Sequence, residues 1–89
     1  MLYLLSYEYV DDILARREPY RAEHLALVRE YHERGRLRLA GAVGDPVRGA
    51  LLVFTDADAA AEFVQRDPYV LHGLVTSHTI APWHVVVGE

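Results

Sequence analysis

The order in which strand-like and helix-like segments follow one another constrains the fold more than any other feature of the sequence. Apolar residues alternate, or run continuously over a strand's length, in four segments, and they recur at three- and four-residue spacing in two others. The predicted strands cover residues 2–7, 36–41, 50–54 and 74–87, and the predicted helices cover residues 19–35 and about 55–66. The order βαββαβ predicts an α+β fold in which two helices cover one face of a four-stranded sheet.

Residues with strong backbone preferences support these boundaries. Pro19 suits the first turn of the first helix, and Gly35 suits the position just after its end. Thr55, with Asp58 three residues later, resembles a capping box at the start of the second helix. Pro68 disfavours helical geometry at the residue before it, so the second helix should end near residue 66 or 67.

The second face of the predicted sheet has no helix to cover it. The segment 50–54 is apolar at consecutive positions and Leu4 is adjacent to Leu5, so both faces carry side chains that favour burial. A chain of 89 residues buries only about 60 to 65% of its unfolded surface, and its stability margin is correspondingly small. We therefore expect a homodimer, and possible higher assembly, in which two sheets pack face to face as a barrel.

Composition excludes several kinds of chemistry. The chain has 9 Arg and Lys against 13 Asp and Glu, a net charge of −4, and it contains no Cys. All nine cations are Arg, so no lysine is available for a Schiff base. Because Cys is absent, no thiol nucleophile, disulfide or thiolate metal site can form. The negative charge argues against nucleic acid as a partner, because such binding depends on phosphate neutralisation.

The chain is expected to form one domain, residues 1–89, in the cytoplasm. Its longest apolar runs are about four residues, against the ~20 that span a bilayer, and no basic and apolar leader opens the sequence. Neither a metal-ligand spacing nor a glycine-rich phosphate loop is found, so no metal and no cofactor are predicted. A membrane partner is likewise not expected.

His24 and Asp67 are ionisable residues at positions where the helical pattern calls for apolar side chains. His24 lies four residues before Val28 and seven before Tyr31, and Asp67 lies four residues after Phe63. The topology makes the two helices antiparallel neighbours, so His24 and Asp67 are predicted to meet at one end of the domain. A carboxylate that holds one imidazole nitrogen leaves the other free to accept a proton, as a general base does.

Structural roles explain the same two residues without any chemistry. Asp67 before Pro68 is an ordinary helix start, with Asp as the N-cap and Pro in the first position. A histidine on an apolar stripe is more often a hydrogen-bonded structural residue than a base. The aromatic residues, including Tyr7 and Trp83, are more often core or dimer contacts, although either could line a pocket.

Short motifs along nearly the whole chain resemble those of the YCII-related proteins. The matching segments are residues 21–25, 35–37, 40–41, 49–54, 67–70, 73 and 81–83. The resemblance implies a single YCII-like domain with a dimeric, ferredoxin-like α/β barrel and an active site at His24 and Asp67. It further implies dehydrochlorinase-like relatives that act in aromatic breakdown. Four residues are predicted to bind the substrate: Tyr7, Gly41, Tyr69 and Trp83.

Three functions remain open from the sequence. The first is a small cofactor-independent lyase or isomerase, in which His24 removes a proton from a small organic substrate and Asp67 orients His24. The second is a non-catalytic module that binds a small metabolite or mediates assembly. The third, by analogy of fold alone, is a cofactor-free monooxygenase. An open cavity beside His24 would favour the enzyme, whereas a fully enclosed ring with both nitrogens bonded would favour a structural role.

Overall fold

A four-stranded antiparallel sheet with helices packed on one face forms the structure, a computed structural model that describes residues 1–88. The strands are β1 (Leu2–Tyr9), β2 (Leu37–Val43), β3 (Gly49–Phe54) and β4 (Val75–Trp83), in the sheet order β2-β3-β1-β4. The helices are α1 (Ile13–Arg16), α2 (Glu18–Glu33), α3 (Ala57–Arg66) and α4 (Pro68–Leu71). No helix within residues 1–88 has the length and apolar character needed to cross a membrane.

The βαββαβ order is confirmed, and the differences lie at the ends of elements. Strand β4 ends at Trp83 rather than at residue 87, because Trp83 pairs with Leu2, the first residue of β1, and no strand residue remains beyond it. Strand β2 extends to Val43, which pairs with Gly49 across the turn. The sequence pattern missed the single turn of α1, where Ile13 is buried and joins a small satellite core.

The start of α3 differs from the sequence prediction, whereas its end agrees. Asp56, not Thr55, is the N-cap: its Oδ1 accepts a hydrogen bond from the backbone N–H of Ala59 at 2.6 Å. Asp67 has extended backbone angles, φ −70° and ψ 118°, as expected for the residue before a proline. The helix therefore ends at Arg66, and the chain turns directly into α4.

The core lies between the sheet and the two long helices. Leu5 and Phe54 from the sheet and Tyr31 and Phe63 from the helices are fully buried. Tyr31 and Phe63 meet edge to face, with ring centroids 5.4 Å apart, an arrangement that aromatic quadrupoles favour. This packing fixes α2 beside α3.

Apolar side chains also lie on the opposite side of the sheet, which we call the open face. Leu39 is 69% exposed, Leu51 is 42% exposed and Trp83 is 43% exposed. Leu51 lies between Ala50 and Leu52, which point into the core, so strand alternation directs Leu51 away from the helices. Within residues 1–88, no helix packs on this face.

The connections between strands and helices determine where the site forms. Because β1 and β3 are antiparallel, α2 and α3, which follow them, also run in opposite directions. The beginning of α2 therefore lies at the same end of the domain as the end of α3 and the short helix α4. His24 is in the second turn of α2, and Asp67 joins α3 to α4.

Candidate functional site

The structure brings His24 and Asp67 together although 43 residues separate them in sequence. Nδ1 of His24 lies 2.8 Å from Oδ1 of Asp67, a hydrogen-bonding distance. His24 is 8% exposed and Asp67 is fully buried, and they are the two buried polar side chains of residues 1–88. The contact that helix periodicity and topology predict is therefore present.

Three donors surround the Asp67 carboxylate. Oδ1 accepts from Nδ1–H of His24 and, at 3.0 Å, from the backbone N–H of Tyr69, while Oδ2 accepts from the hydroxyl of Tyr7 at 2.8 Å. The bond from Tyr69 makes Asp67 the N-cap of α4, with Pro68 in the first position. The capping role and the contact with His24 thus occur together. A buried charge is tolerated when its hydrogen-bonding capacity is used in this way.

The His24 ring is held in one orientation with one nitrogen left free. A carboxylate can only accept, so its partner Nδ1 carries a hydrogen, and in the neutral form of the ring Nε2 keeps its lone pair. Nε2 of His24 has no protein hydrogen-bond partner in residues 1–88. It is not enclosed, because the one enclosed side-chain nitrogen or oxygen without a partner in these residues belongs to Arg17. The ring stacks on Tyr69, with centroids 3.8 Å apart and planes 4° apart, and meets the ring of Phe63 edge to face. His24 therefore has a fixed ring and an accessible acceptor.

A cavity of about 160 Å³ lies beside His24. Its walls come from the beginning of α2, the middle of β2 and β3, and the aromatic side chains of Tyr9 and Tyr69. A cavity of roughly 150 Å³ in another protein binds benzene, so this volume suits a single small ring. The apolar part of the wall consists of Leu25, Val28, Ala40, Ala42, Ala50 and Leu52.

The tyrosines around the site remain protonated phenols at neutral pH. Burial raises the pKa of Tyr7 far above its usual value, and the nearby charge of Asp67 raises it further. Burial and Asp67 act in the same direction on the pKa of Tyr9. Burial also raises the pKa of Tyr69, while the charges of Arg17 and Arg21 oppose this increase. In residues 1–88, no three His, Asp or Glu side chains converge as a metal site would need.

The predicted substrate-binding residues do not all reach the cavity. Tyr69 lines it, and Gly41 contributes backbone to its wall. Tyr7 is not part of the wall; it lies behind Asp67, where its hydroxyl holds the carboxylate. Trp83 is on the open face, and the structure does not place it beside His24 in this chain.

Two charged residues of the cavity wall were not predicted from the sequence. Arg17 and Arg21 border the cavity, and neither was named as a site residue. Arg17 is the N-cap of α2, so Arg21 lies one turn later and His24 three residues beyond Arg21. That i, i+4, i+7 spacing places all three residues on one face of the helix. It is the sequence feature from which Arg17 and Arg21 could have been predicted to lie beside His24.

Comparison with known proteins gives a family match and a structural match. A family model described as "YCII-related domain" matches residues 1–84. The structure is similar to that of TftG, the 5-chloro-2-hydroxyhydroquinone dehydrochlorinase from Burkholderia phenoliruptrix AC1100, solved in complex with 2,5-dihydroxybenzoquinone. The TM-score is 0.75 at 22% sequence identity, and the alignment covers 94% of each chain. No curated protein matches the sequence.

Proposed function

The chain belongs to the YCII-related domain family, and from this membership and the geometry around His24 we propose that it is a cofactor-independent enzyme that removes a proton from a small cyclic substrate. One observation carries the proposal: a histidine is fixed by a buried carboxylate and keeps a free nitrogen beside an open cavity. A purely structural histidine would be expected to have both nitrogens bonded to the protein.

His24 acts as the general base and Asp67 positions it. Nε2 accepts a proton from the bound substrate, and the resulting imidazolium is stabilised by the Asp67 carboxylate 2.8 Å from Nδ1. The electron pair of the broken bond then moves into the ring. In an elimination it expels a leaving group such as halide, so the substrate loses HX; in an isomerisation, His24 returns the proton at another atom.

The structural neighbour supports a ring-shaped substrate. TftG is a dehydrochlorinase and was solved with a quinone of one six-membered ring. The cavity beside His24 has the volume for one such ring, and Tyr69 offers an aromatic surface at its wall. We therefore propose a hydroxylated or quinonoid six-membered ring as the substrate class.

An anaerobic assay tests this function. The protein is incubated without oxygen with halogenated hydroxyhydroquinones, including 5-chloro-2-hydroxyhydroquinone, and released halide is measured by ion chromatography. We expect halide to be released faster than in buffer without the protein. Ring compounds that bind beside His24 without halide release or solvent deuterium exchange would instead support a binding module, and turnover that requires oxygen would support a monooxygenase.

We further propose that a second copy of the chain covers the open face, so that two sheets pack together as a barrel. Leu39, Leu51 and Trp83 are large apolar side chains exposed on one side of a small domain, whereas the helices cover much of the other side of β1 and β3. A two-fold axis lets this one patch be complementary to itself. Burial of its apolar area would stabilise a domain whose own core is limited.

Replacing Leu51 with glutamate is expected to convert the dimer to a monomer, because the dimer would bury two unpaired carboxylates. Sedimentation equilibrium measures the mass directly. Gln65→Glu is the matched control, since it adds the same charge at an exposed position of α3, and it should leave the dimer intact. A wild-type protein that sediments at the chain mass at all concentrations would contradict the proposal.

A further inference from the structure

Two arginines border the cavity without an acidic partner. Arg17 and Arg21 line it together with His24, and neither forms an ion pair with a carboxylate in residues 1–88. Other arginines do pair: Arg16, Arg34, Arg36 and Arg66 each lie within 4.0 Å of an acidic side chain. Two positive charges therefore border the cavity without an acidic partner in residues 1–88.

Arg17 also has an unsatisfied donor. Its Nε is the one side-chain nitrogen or oxygen in residues 1–88 that is enclosed and lacks a hydrogen-bond partner. A buried donor without an acceptor costs free energy, so native proteins rarely keep one. Because Nε is closed off, a ligand in the cavity would meet the terminal guanidinium nitrogens of Arg17, which also have no protein hydrogen-bond partner in residues 1–88.

The acidic side chains near the cavity form no ion pair with the guanidinium groups of Arg17 and Arg21. Asp67 is occupied by His24, Tyr7 and the Tyr69 backbone. Glu18 influences the Tyr69 phenol electrostatically, yet it forms no ion pair with either arginine in the described chain. No internal anion therefore occupies the position that a ligand anion would take.

We infer that the molecule bound beside His24 is a small planar organic anion, whose charged oxygen is held by Arg17 and Arg21. This inference deepens the proposed function and takes its cavity as the ligand site. An enolate, phenolate or carboxylate oxygen accepts hydrogen bonds from guanidinium groups, which present planar N–H donors. The ring of the ligand lies in the apolar part of the cavity, against Tyr69.

The same arginines would also assist proton removal. When His24 takes a proton, negative charge develops on the substrate ring and spreads to its oxygen atoms. Fixed cations aimed at those oxygens stabilise this charge in a site of low dielectric constant. Arg17 and Arg21 are thus substrate-binding residues that also favour the reaction.

Binding of benzoate and benzamide tests the inference, because the two probes share a shape and differ in charge. Each probe is titrated into 15N-labelled protein and followed by NMR. Changes in chemical shift at His24 and Tyr69 show that the probe binds in the cavity. We expect benzoate to bind at least about tenfold more tightly than benzamide. Arg17→Gln and Arg21→Gln should each weaken benzoate binding at least about fivefold and leave benzamide binding unchanged.

Arg29→Gln is the matched control, since Arg29 is exposed on the same helix and does not line the cavity. It should change benzoate affinity less than twofold. Equal binding of the two probes by the wild-type protein would overturn the inference without any variant, as would equal losses from Arg29→Gln and Arg17→Gln. The comparison of probes remains decisive even if a glutamine variant fails to fold.

The binding test and the halide assay can fail separately. Preference for benzoate through Arg17 and Arg21, combined with an absence of turnover, would keep the anion site and remove the proposed enzyme. Turnover by a protein that binds benzoate and benzamide equally would keep the enzyme and remove the anion site.

Discussion

Replacing His24 with asparagine is expected to reduce turnover by at least about 100-fold, the lower end of what a positioned general base contributes. The asparagine Nδ2 occupies nearly the same position as the histidine Nδ1, so it can still donate to Oδ1 of Asp67. The buried carboxylate therefore keeps its three donors. The change removes Nε2, the nitrogen that accepts the substrate proton, and leaves the remaining hydrogen bonds in place.

Single-turnover halide release and urea unfolding measure the two effects. His32→Asn is the matched control: it makes the same substitution in the same helix at an exposed residue, whose Nδ1 contacts only the backbone oxygen of Leu37. The control should keep full turnover. Wild-type rates in His24→Asn would show that His24 is not the base, and unfolding of His24→Asn would indicate that the ring is chiefly structural.

The parts of the fold that depend on local chemistry were predictable from the sequence. Pro68 fixes the end of α3, and helix periodicity places His24 and Asp67 on inward positions. Because the strand order makes α2 and α3 antiparallel, their meeting followed from topology alone. The double role of Asp67 was also visible, since Asp-Pro is a helix start in any context.

The parts that depend on neighbours across the fold were not predictable. Trp83 points to the open face because it pairs with Leu2, and that register cannot be read from one strand by itself. Helical spacing groups Arg21 with His24, but the cavity that they border exists because β2 supplies its other wall, which the sequence of α2 alone does not reveal. Tyr7 approaches Asp67 rather than the ligand because the α3–α4 junction lies over β1.

Replacing Asp67 with alanine is expected to cost about 3 to 5 kcal/mol of unfolding free energy, the usual effect of removing one member of a buried polar pair. The change leaves Tyr7 and His24 with buried donors that have no acceptor, and it removes the N-cap of α4. A domain of this length has a total stability of about 4 to 13 kcal/mol, so the substitution should remove a large fraction of it. Urea denaturation at a fixed protein concentration measures the loss.

Asp67→Asn separates the charge of Asp67 from its hydrogen bonds. The amide oxygen can still accept from His24 and from the Tyr69 backbone, and the Tyr7 hydroxyl can accept from the new NH₂ group, so the expected loss is only about 1 to 2 kcal/mol. Turnover should nevertheless fall sharply, because a neutral amide does not stabilise the imidazolium. Asp11→Ala, which removes an exposed carboxylate, is the control and should change stability by less than about 0.5 kcal/mol. If Asp67→Ala were as stable as Asp11→Ala, the carboxylate would not be what joins β1, α2 and α4 at the site.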